Sequence, residues 1–246
     1  MRRQRIDSVS EAVDAALIPL ARTPPNSNLA MPRATVLLTG GTGYIGRRLI
    51  PELVTRGHSV RAIVRAGSEG KVPPCAEVVV GDVRSRESVA PHVARDGVVV
   101  HLVGTPHPSP SKAAEFEALD YVAAHECIAA AKTSGARHFV YVSVAHPAPV
   151  MRAYIGVRMR VEGELRDSGL PSTILRPWYV LGPGHRWPYA LIPMYWLLGA
   201  LPSTRESARR LGLVTIANML ATLVWAVDTA RHESRELNVP DIRRHH

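Results

Sequence analysis

Tyr154 and Arg158 stand four residues apart in the stretch AYIGVR, residues 153–158. On a helix, positions i and i+4 share a face, so this spacing sets a guanidinium beside a phenol. A tyrosine titrates near pH 10 when unperturbed and needs a neighbouring cation to exchange protons at neutral pH. Arginine supplies that charge but keeps its own proton and is broad and planar. It therefore serves the electrostatic half of such a pair and not a proton relay. Ser143 precedes Tyr154 by eleven residues, at the end of the apolar run HFVYVSV. A second group lies far upstream. TGGTGYIG, residues 39–46, places Gly40, Gly43 and Gly46 around Tyr44 and Ile45. Glycines there let a backbone approach a pyrophosphate, and a following helix offers amide donors and the positive end of its dipole.

The elements that must position these groups alternate along the chain. ATVLLTG reads as a strand and YIGRRLIPELVTRG as the helix after it, with Pro51 expected to kink that helix. SVRAIVR and AEVVVGDV follow as strands, then a helical SRESVAPHVARDG and the strand VVVHLVG. Next come the long helical KAAEFEALDYVAAHECIAAAKTSG, the strand HFVYVSV, the helical MRAYIGVRMRVEGELRDSG and the strand STILRPWYV. Apolar strands without polar alternation, separated by helices, imply a parallel sheet covered on both faces, a doubly wound α/β (Rossmann) domain. After Val180 the pattern loosens into a loop and one or two short helices at 189–210. A last helix and the strand RELNV close the chain. The expected organisation is an extension over 1–33 and one nucleotide-binding domain over 34–246, with 181–212 as a small substrate-side cap.

About twenty residues past the glycine loop, a fold that prefers NAD carries an acid for the ribose hydroxyl. This chain has Arg65 in IVRAGSEG instead, which suits a 2′-phosphate, with Arg47 as a second contact. NADP(H) is therefore expected over NAD(H). Asp82, in VGDV, stands where such folds reach the adenine edge, and Val83 beside it can pack on the ring.

The bulk properties set limits. The 246 residues, 46% hydrophobic, suffice for one substantial core. Two cysteines, Cys75 and Cys127, exclude a disulfide framework and a four-thiolate metal site, and they fit a reducing cytoplasm. His101 and His107 lack the grouped spacing of metal ligands. The net charge of +9 is carried by scattered arginines, not a run interleaved with aromatics, so no nucleic-acid partner is expected. The first 33 residues make a poor signal peptide, because Asp14 and Pro19 interrupt their apolar stretch. With Met31 just before the first strand, they read as disordered or as a start-site artefact. No run reaches the roughly 20 apolar residues of a membrane span. YALIPMYWLLGAL at 189–201 is short and holds Pro193, leaving weak contact with a membrane surface as the most it can make.

TGGTGYIG, VGDV, VVVHLVG, VYVSV, the tyrosine of AYIGVR and TILRPWYVLGPG occur in the order found in the short-chain dehydrogenase/reductase superfamily. Over residues 34–240 the chain resembles an atypical member of its extended branch, near the NAD-dependent epimerase/dehydratase group. The resemblance implies that Gly40, Gly43 and Gly46 hold the cofactor pyrophosphate, that Asp82 and Val83 line the adenine, and that Val103 and Gly104 pass beneath the cofactor. Pro177 would lie beside the nicotinamide carboxamide, Ser143 would polarise a substrate carbonyl, and Tyr154 would carry its proton. Two departures stand out. Arg158 replaces a lysine, and Asp120 takes the place of an asparagine that helps fix an active-site water. The helices around 113–134 and 151–168 are those through which relatives often dimerise, so a monomer or a homodimer is expected.

Trp178, Tyr179, His185, Arg186, Trp187 and Tyr189 cluster past the last strand pattern, where ligands of such folds sit. Flat aromatic walls suggest a small apolar substrate. Three readings follow: an NADPH-dependent oxidoreductase acting on an apolar carbonyl or an activated double bond; a non-catalytic NADP(H)-binding sensor or assembly protein; and a nucleotide-sugar epimerase or dehydratase.

Overall fold

The computed structural model describes residues 34–184, 206, 210–230 and 233–246. The expectations for 1–33, for His185, Arg186, Trp187 and Tyr189, and for most of 181–212 lie outside the described residues. In chain order the main elements are β1 (Thr35–Thr39), α1 (Gly46–Thr55), β2 (Ser59–Val64), β3 (Glu77–Val80), α2 (Arg86–Val89), β4 (Val98–His101), α3 (Val122–Thr133) and β5 (His138–Val142). They continue with α4 (Arg152–Asp167), β6 (Ser172–Arg176), β7 (Tyr179–Leu181), β8 (Leu213–Thr215), α5 (Ile216–Asp228) and β9 (Arg235–Asn238).

Seven of the described strands form one sheet in the order β3-β2-β1-β4-β5-β6-β9, every pair parallel. This is a doubly wound α/β sheet of Rossmann type, as the alternation of apolar runs and helices implied. β7 and β8 pair apart from it. Along β1, Val36 and Leu38 pack in one apolar cluster with Leu49, Ile50 and Leu53 of α1 and Leu223 and Val227 of α5. Leu37 packs in the other, with Ala124 and Ile128 of α3 and Val161 and Leu165 of α4. Both sides of the strand are thus withdrawn from water, which is why its sequence shows no polar alternation. The order in which strands are added switches sides of the sheet between β1 and β4, and in open α/β sheets the ligand crevice lies at that point, outside the carboxyl ends of the strands.

Local chemistry explains the boundaries. The helix assignment of α1 is continuous through the exposed Pro51, where the carbonyl that loses its partner can face water. The helix expected over SRESVAPHVARDG is only one turn, capped by Ser85, which accepts from the Ser88 amide. It gives way to a three-residue 3₁₀ turn, Ala90–His92, that contains Pro91. α5 begins at a capping box formed by Thr215 and Asn218. Ahead of α3, residues Phe116–Tyr121 form a π-helical turn, a wide turn often found at functional sites.

The β1–α1 loop is tight for a stated reason. Gly40 has φ of +77°, and a Cβ on it would lie 2.9 Å from the carbonyl carbon of Leu102. A Cβ on Gly46 would lie 2.3 Å from the Gly40 oxygen. Gly46→Ala is therefore expected to cost about 2 kcal/mol or more by forcing loop and helix apart. Urea unfolding would show this as a lower midpoint at unchanged slope, and an unchanged midpoint would mean that the loop can widen freely.

Candidate functional site

The loop at the end of β1 closes on itself: the Gly43 amide donates to the Gly40 oxygen at 3.0 Å and the Arg47 amide to the Gly43 oxygen at 3.2 Å. Gly43 itself is exposed, and a Cβ there would meet only the Gly40 oxygen, at 3.2 Å. Its outer side is therefore an open cradle beside the start of α1, whose first amides lack partners within the helix. These residues fit a pyrophosphate. Tyr44 reaches elsewhere. Its carbonyl accepts from Arg48 Nη1 at 2.9 Å, and that guanidinium lies 4.2 Å over its ring. A Cβ on Gly182 would come within 2.3 Å of its hydroxyl, and Arg48 Nη2 also donates to the Pro183 carbonyl at 3.3 Å. Ile45 packs against the α1-side core.

Arg65 follows β2 and is exposed, as is Arg47 on the first turn of α1. Beyond β3, Asp82 is gripped by Arg84, which the sequence reading did not single out. Arg84 Nε donates to Oδ1 at 3.1 Å, its Nη2 to Oδ2 at 2.8 Å, and its amide to Oδ1 at 2.9 Å. The Arg84 side chain, then its amide, hold the Asp82 carboxyl below its ordinary value against a small push from burial, and the charge of Arg65 adds to the effect. Val83 is only 9% exposed and belongs to the apolar cluster beneath α3, so it offers the crevice little more than an edge.

α4 carries the central row. Tyr154 is half-buried, its ring edge-on to Phe116 with centroids 5.1 Å apart. The Arg158 guanidinium lies 5.0 Å over the Tyr154 ring. It is not a surface charge: the side chain is 5% exposed. Nη2 donates to Asp120 Oδ1 at 2.6 Å, and Nη1 donates to the Tyr141 hydroxyl at 3.1 Å and the Val142 carbonyl at 3.2 Å. Asp120, fully buried on the π-helical turn, also accepts from the Thr105 amide at 2.9 Å and its hydroxyl at 2.6 Å. Gly104 is what makes room, since a Cβ there would lie 2.3 Å from Arg158 Nη2. Burial pushes the guanidinium's pKa down, but Tyr141, Tyr154 and Asp120 more than offset it and raise it above its ordinary value, so the group stays a cation. Burial pushes the Tyr141 phenol up to about 12, keeping it neutral. Burial, helped by the Arg158 charge, lowers His101 to about 3, so its ring, bonded to the Thr39 hydroxyl at 3.0 Å, is neutral as well. Val103, next along, is half-buried.

Ser143, 4% exposed, gives its proton to Glu162 Oε1 at 2.5 Å. Glu162 is fully buried and also takes Arg176 Nε and Nη2, Arg166 Nη2 at 3.2 Å and His146 Nε2 at 3.3 Å. Burial pushes its carboxyl up, but the hydrogen bonds from Arg176 and Ser143, with the charges of Arg176 and His146, hold it below its ordinary 4.5. Glu162 was missed in the sequence although its signal was there: positions 154, 158 and 162 recur every four residues on one helix face. Pro177 is buried directly after Arg176. Trp178 and Tyr179 are half-buried and meet edge-on with centroids 5.4 Å apart.

A glycine cradle at the reversal point of a parallel sheet is the arrangement of a dinucleotide site, and residues 40–186 match the NAD(P)H-binding family. The chain belongs to that family. In fold it is like solved epimerases and a solved short-chain dehydrogenase/reductase superfamily protein. The divinyl chlorophyllide a 8-vinyl-reductase of Oryza sativa subsp. indica is 32% identical over 168 residues, 62% of this chain and 42% of that protein. The photosystem II assembly factor Ycf39 of Trieres chinensis is 26% identical over 145 residues, 58% of this chain and 44% of that protein. The chain thus spans less than half the length of these relatives. Among solved structures, the Bordetella bronchiseptica enzyme WbmH in complex with NAD⁺ superposes with a TM-score of 0.63 at 21% identity, covering 83% of this chain and 75% of that one. That likeness is one of fold.

Two outcomes follow from these networks. Asp120→Ala leaves Arg158 buried without its anion and should cost about 3–5 kcal/mol, measured by urea unfolding at pH 7. A loss under about 1 kcal/mol would show that Arg158 is solvated on another path. Glu162 has a lowered folded pKa, so its contribution is complete above the ordinary 4.5 and is lost as pH falls through the folded value. The wild-type midpoint should therefore fall more steeply below about pH 4.5 than that of Glu162→Gln, and parallel curves would contradict the assignment.

Proposed function

We propose that the protein is an NADPH-dependent reductase of a small apolar molecule, acting on a carbonyl or an activated double bond. The observation that carries the reading is the permanent guanidinium held 5.0 Å over Tyr154 by Asp120, at the sheet edge where the glycine cradle opens. Reduction by hydride leaves negative charge on the substrate and calls for a proton at one stated place. The phenol of Tyr154 holds that proton, and Arg158 supplies a positive potential beside it that no pH in the physiological range removes. The glycine cradle would hold the pyrophosphate of a reduced nicotinamide dinucleotide, which would supply the hydride. Gly40, Gly43 and Gly46 bind its pyrophosphate and Val103 and Gly104 underlie it. Arg158 has no proton to relay, so Tyr154 is reprotonated from water and not through its neighbour.

Preference for NADPH rests on the end of β2, where Arg65 stands exposed and no acid takes its place. Asp82, beyond β3, is already occupied by Arg84. The half-buried Trp178 and Tyr179 favour a flat apolar substrate, and the vinyl-reductase named above fits an activated double bond among its targets. The exposed free thiol of Cys75 suits a reducing, cytoplasmic setting. Among the described residues no helix is long and apolar enough to cross a membrane.

A second reading, cofactor binding without turnover in an assembly or sensing role, is favoured by one observation: the Ser143 proton is already given to Glu162. The two readings part on a single set of measurements. NADPH should bind more tightly than NADH by tryptophan quenching, with Arg65→Ala weakening NADPH about tenfold or more and NADH hardly at all. trans-Cinnamaldehyde, an apolar compound with both a carbonyl and a conjugated double bond, should be reduced with NADPH, and Tyr154→Phe should lower kcat about a hundredfold. Tight cofactor binding with no turnover across a panel of such enals and ketones would establish the second reading in place of the first.

A further inference from the structure

Ser143 has one hydroxyl proton, and a carboxylate can only accept. The Ser143–Glu162 separation of 2.5 Å is that of a hydroxyl donating to an ionised carboxylate, one of the stronger hydrogen bonds a protein makes. Its acceptor is built for the purpose. Glu162 is fully buried and stays ionised because four partners from four directions meet it. These are Ser143 from the end of β5, His146 from the loop after β5, Arg166 from the next turn of α4, and Arg176 from β6. Arg176 and Arg166 are held in turn by Glu236 of β9, at 2.7 Å and 3.0 Å. Among the described residues no group donates to Ser143 Oγ, so its lone pairs are the part of the hydroxyl left for a bound molecule.

We infer that Glu162 is a positioning residue that fixes Ser143 as a hydrogen-bond acceptor toward the site, so that Ser143 receives a hydroxyl or N–H of the bound molecule and leaves Tyr154 as the hydroxyl that donates. This rests on the reductase reading for what enters the site, but the polarity of Ser143 is a property of the protein alone. It reverses the role implied by the family resemblance, in which Ser143 polarises a carbonyl. It also makes apolar molecules with a hydroxyl or N–H donor close to the reduced bond the better substrates, and leaves one without such a donor, such as cinnamaldehyde, a basal substrate.

The donor pattern around Glu162 gives a clean test. Oε2 receives Arg176 Nη2, Arg166 Nη2 and His146 Nε2, all donors, whereas Oε1 receives Ser143 and a shared Arg176 Nε–H that also reaches Oε2. In Glu162→Gln the amide oxygen is forced to the Oε2 side and the NH₂ is turned onto Ser143, which must then accept from it and release its own proton toward the site. The same substitution that removes a charge thus inverts the polarity of a residue it does not touch covalently. The decisive measurement is proton NMR of the ligand-free, deuterated protein returned to ordinary water. The wild type should show a downfield, slowly exchanging hydroxyl resonance that is absent from Ser143→Ala and lost in Glu162→Gln. No such resonance in the wild type, or its persistence in Ser143→Ala or in folded Glu162→Gln, overturns the inference. If Glu162→Gln does not fold, the wild type and Ser143→Ala alone decide. With cinnamaldehyde, Glu162→Gln should also raise the ratio of cinnamyl alcohol to 3-phenylpropanal severalfold, since it adds a donor at the carbonyl. An unchanged ratio in turnover counts against the inference. Absence of turnover in both proteins counts against the reductase reading, and the resonance still decides the polarity of Ser143.

Discussion

A guanidinium with 5% exposure is the constraint around which the site is arranged. An unpaired charge at that depth would be untenable, so the surrounding backbone has been shaped to neutralise and solvate it. The π-helical turn brings Asp120 inward, Thr105 closes on the same carboxylate, Tyr141 and the Val142 carbonyl take the other nitrogen, and residue 104 has no side chain. Tyr154 gains its cation from this arrangement as a by-product of burial. The floor of the crevice, the wall of α4 and the turn ahead of α3 are thereby one electrostatic unit.

One turn further along α4 the signs are exchanged. Glu162 is buried against Arg176 of β6, as Arg158 is buried against Asp120. Two opposite charges four residues apart, each satisfied by a different element, fix the rotation of α4 about its axis more strictly than apolar packing alone would. Val161 and Leu165 tolerate small slips, whereas two buried ion pairs do not. Precise seating of Tyr154 and Ser143 follows from that register.

Much of this was legible in the chain. The sheet and its covering helices followed from apolar runs punctuated by glycine, and the cradle from three glycines at a strand–helix junction, because both depend on local pattern. Arg158 was read as able to stand beside Tyr154, and it does, but nothing local showed that it would be buried. That depends on Asp120 and Thr105, distant in sequence and brought together by a wide helical turn with no periodic signature. Val83 was expected on the adenine and is mostly in the core, because the turn after β3 folds it onto the apolar cluster of Val89 and Cys127. Arg84 was hidden for a different reason: a pair two residues apart in a loop has no recurring geometry to search for. Glu162 alone was both missed and findable.

The Asp120–Arg158 pair has a consequence for the history of such a site. Removing either charge alone strands the other at about 3–5 kcal/mol, a large share of the roughly 5–15 kcal/mol by which a domain is stable at all. Residue 104 adds a third condition, since any side chain there strikes the guanidinium. A single step that removes one of the two charges is tolerable only where stability is first raised elsewhere. The aspartate, the arginine and the glycine are therefore coupled, and the cost of changing any one depends on what stands at the other two.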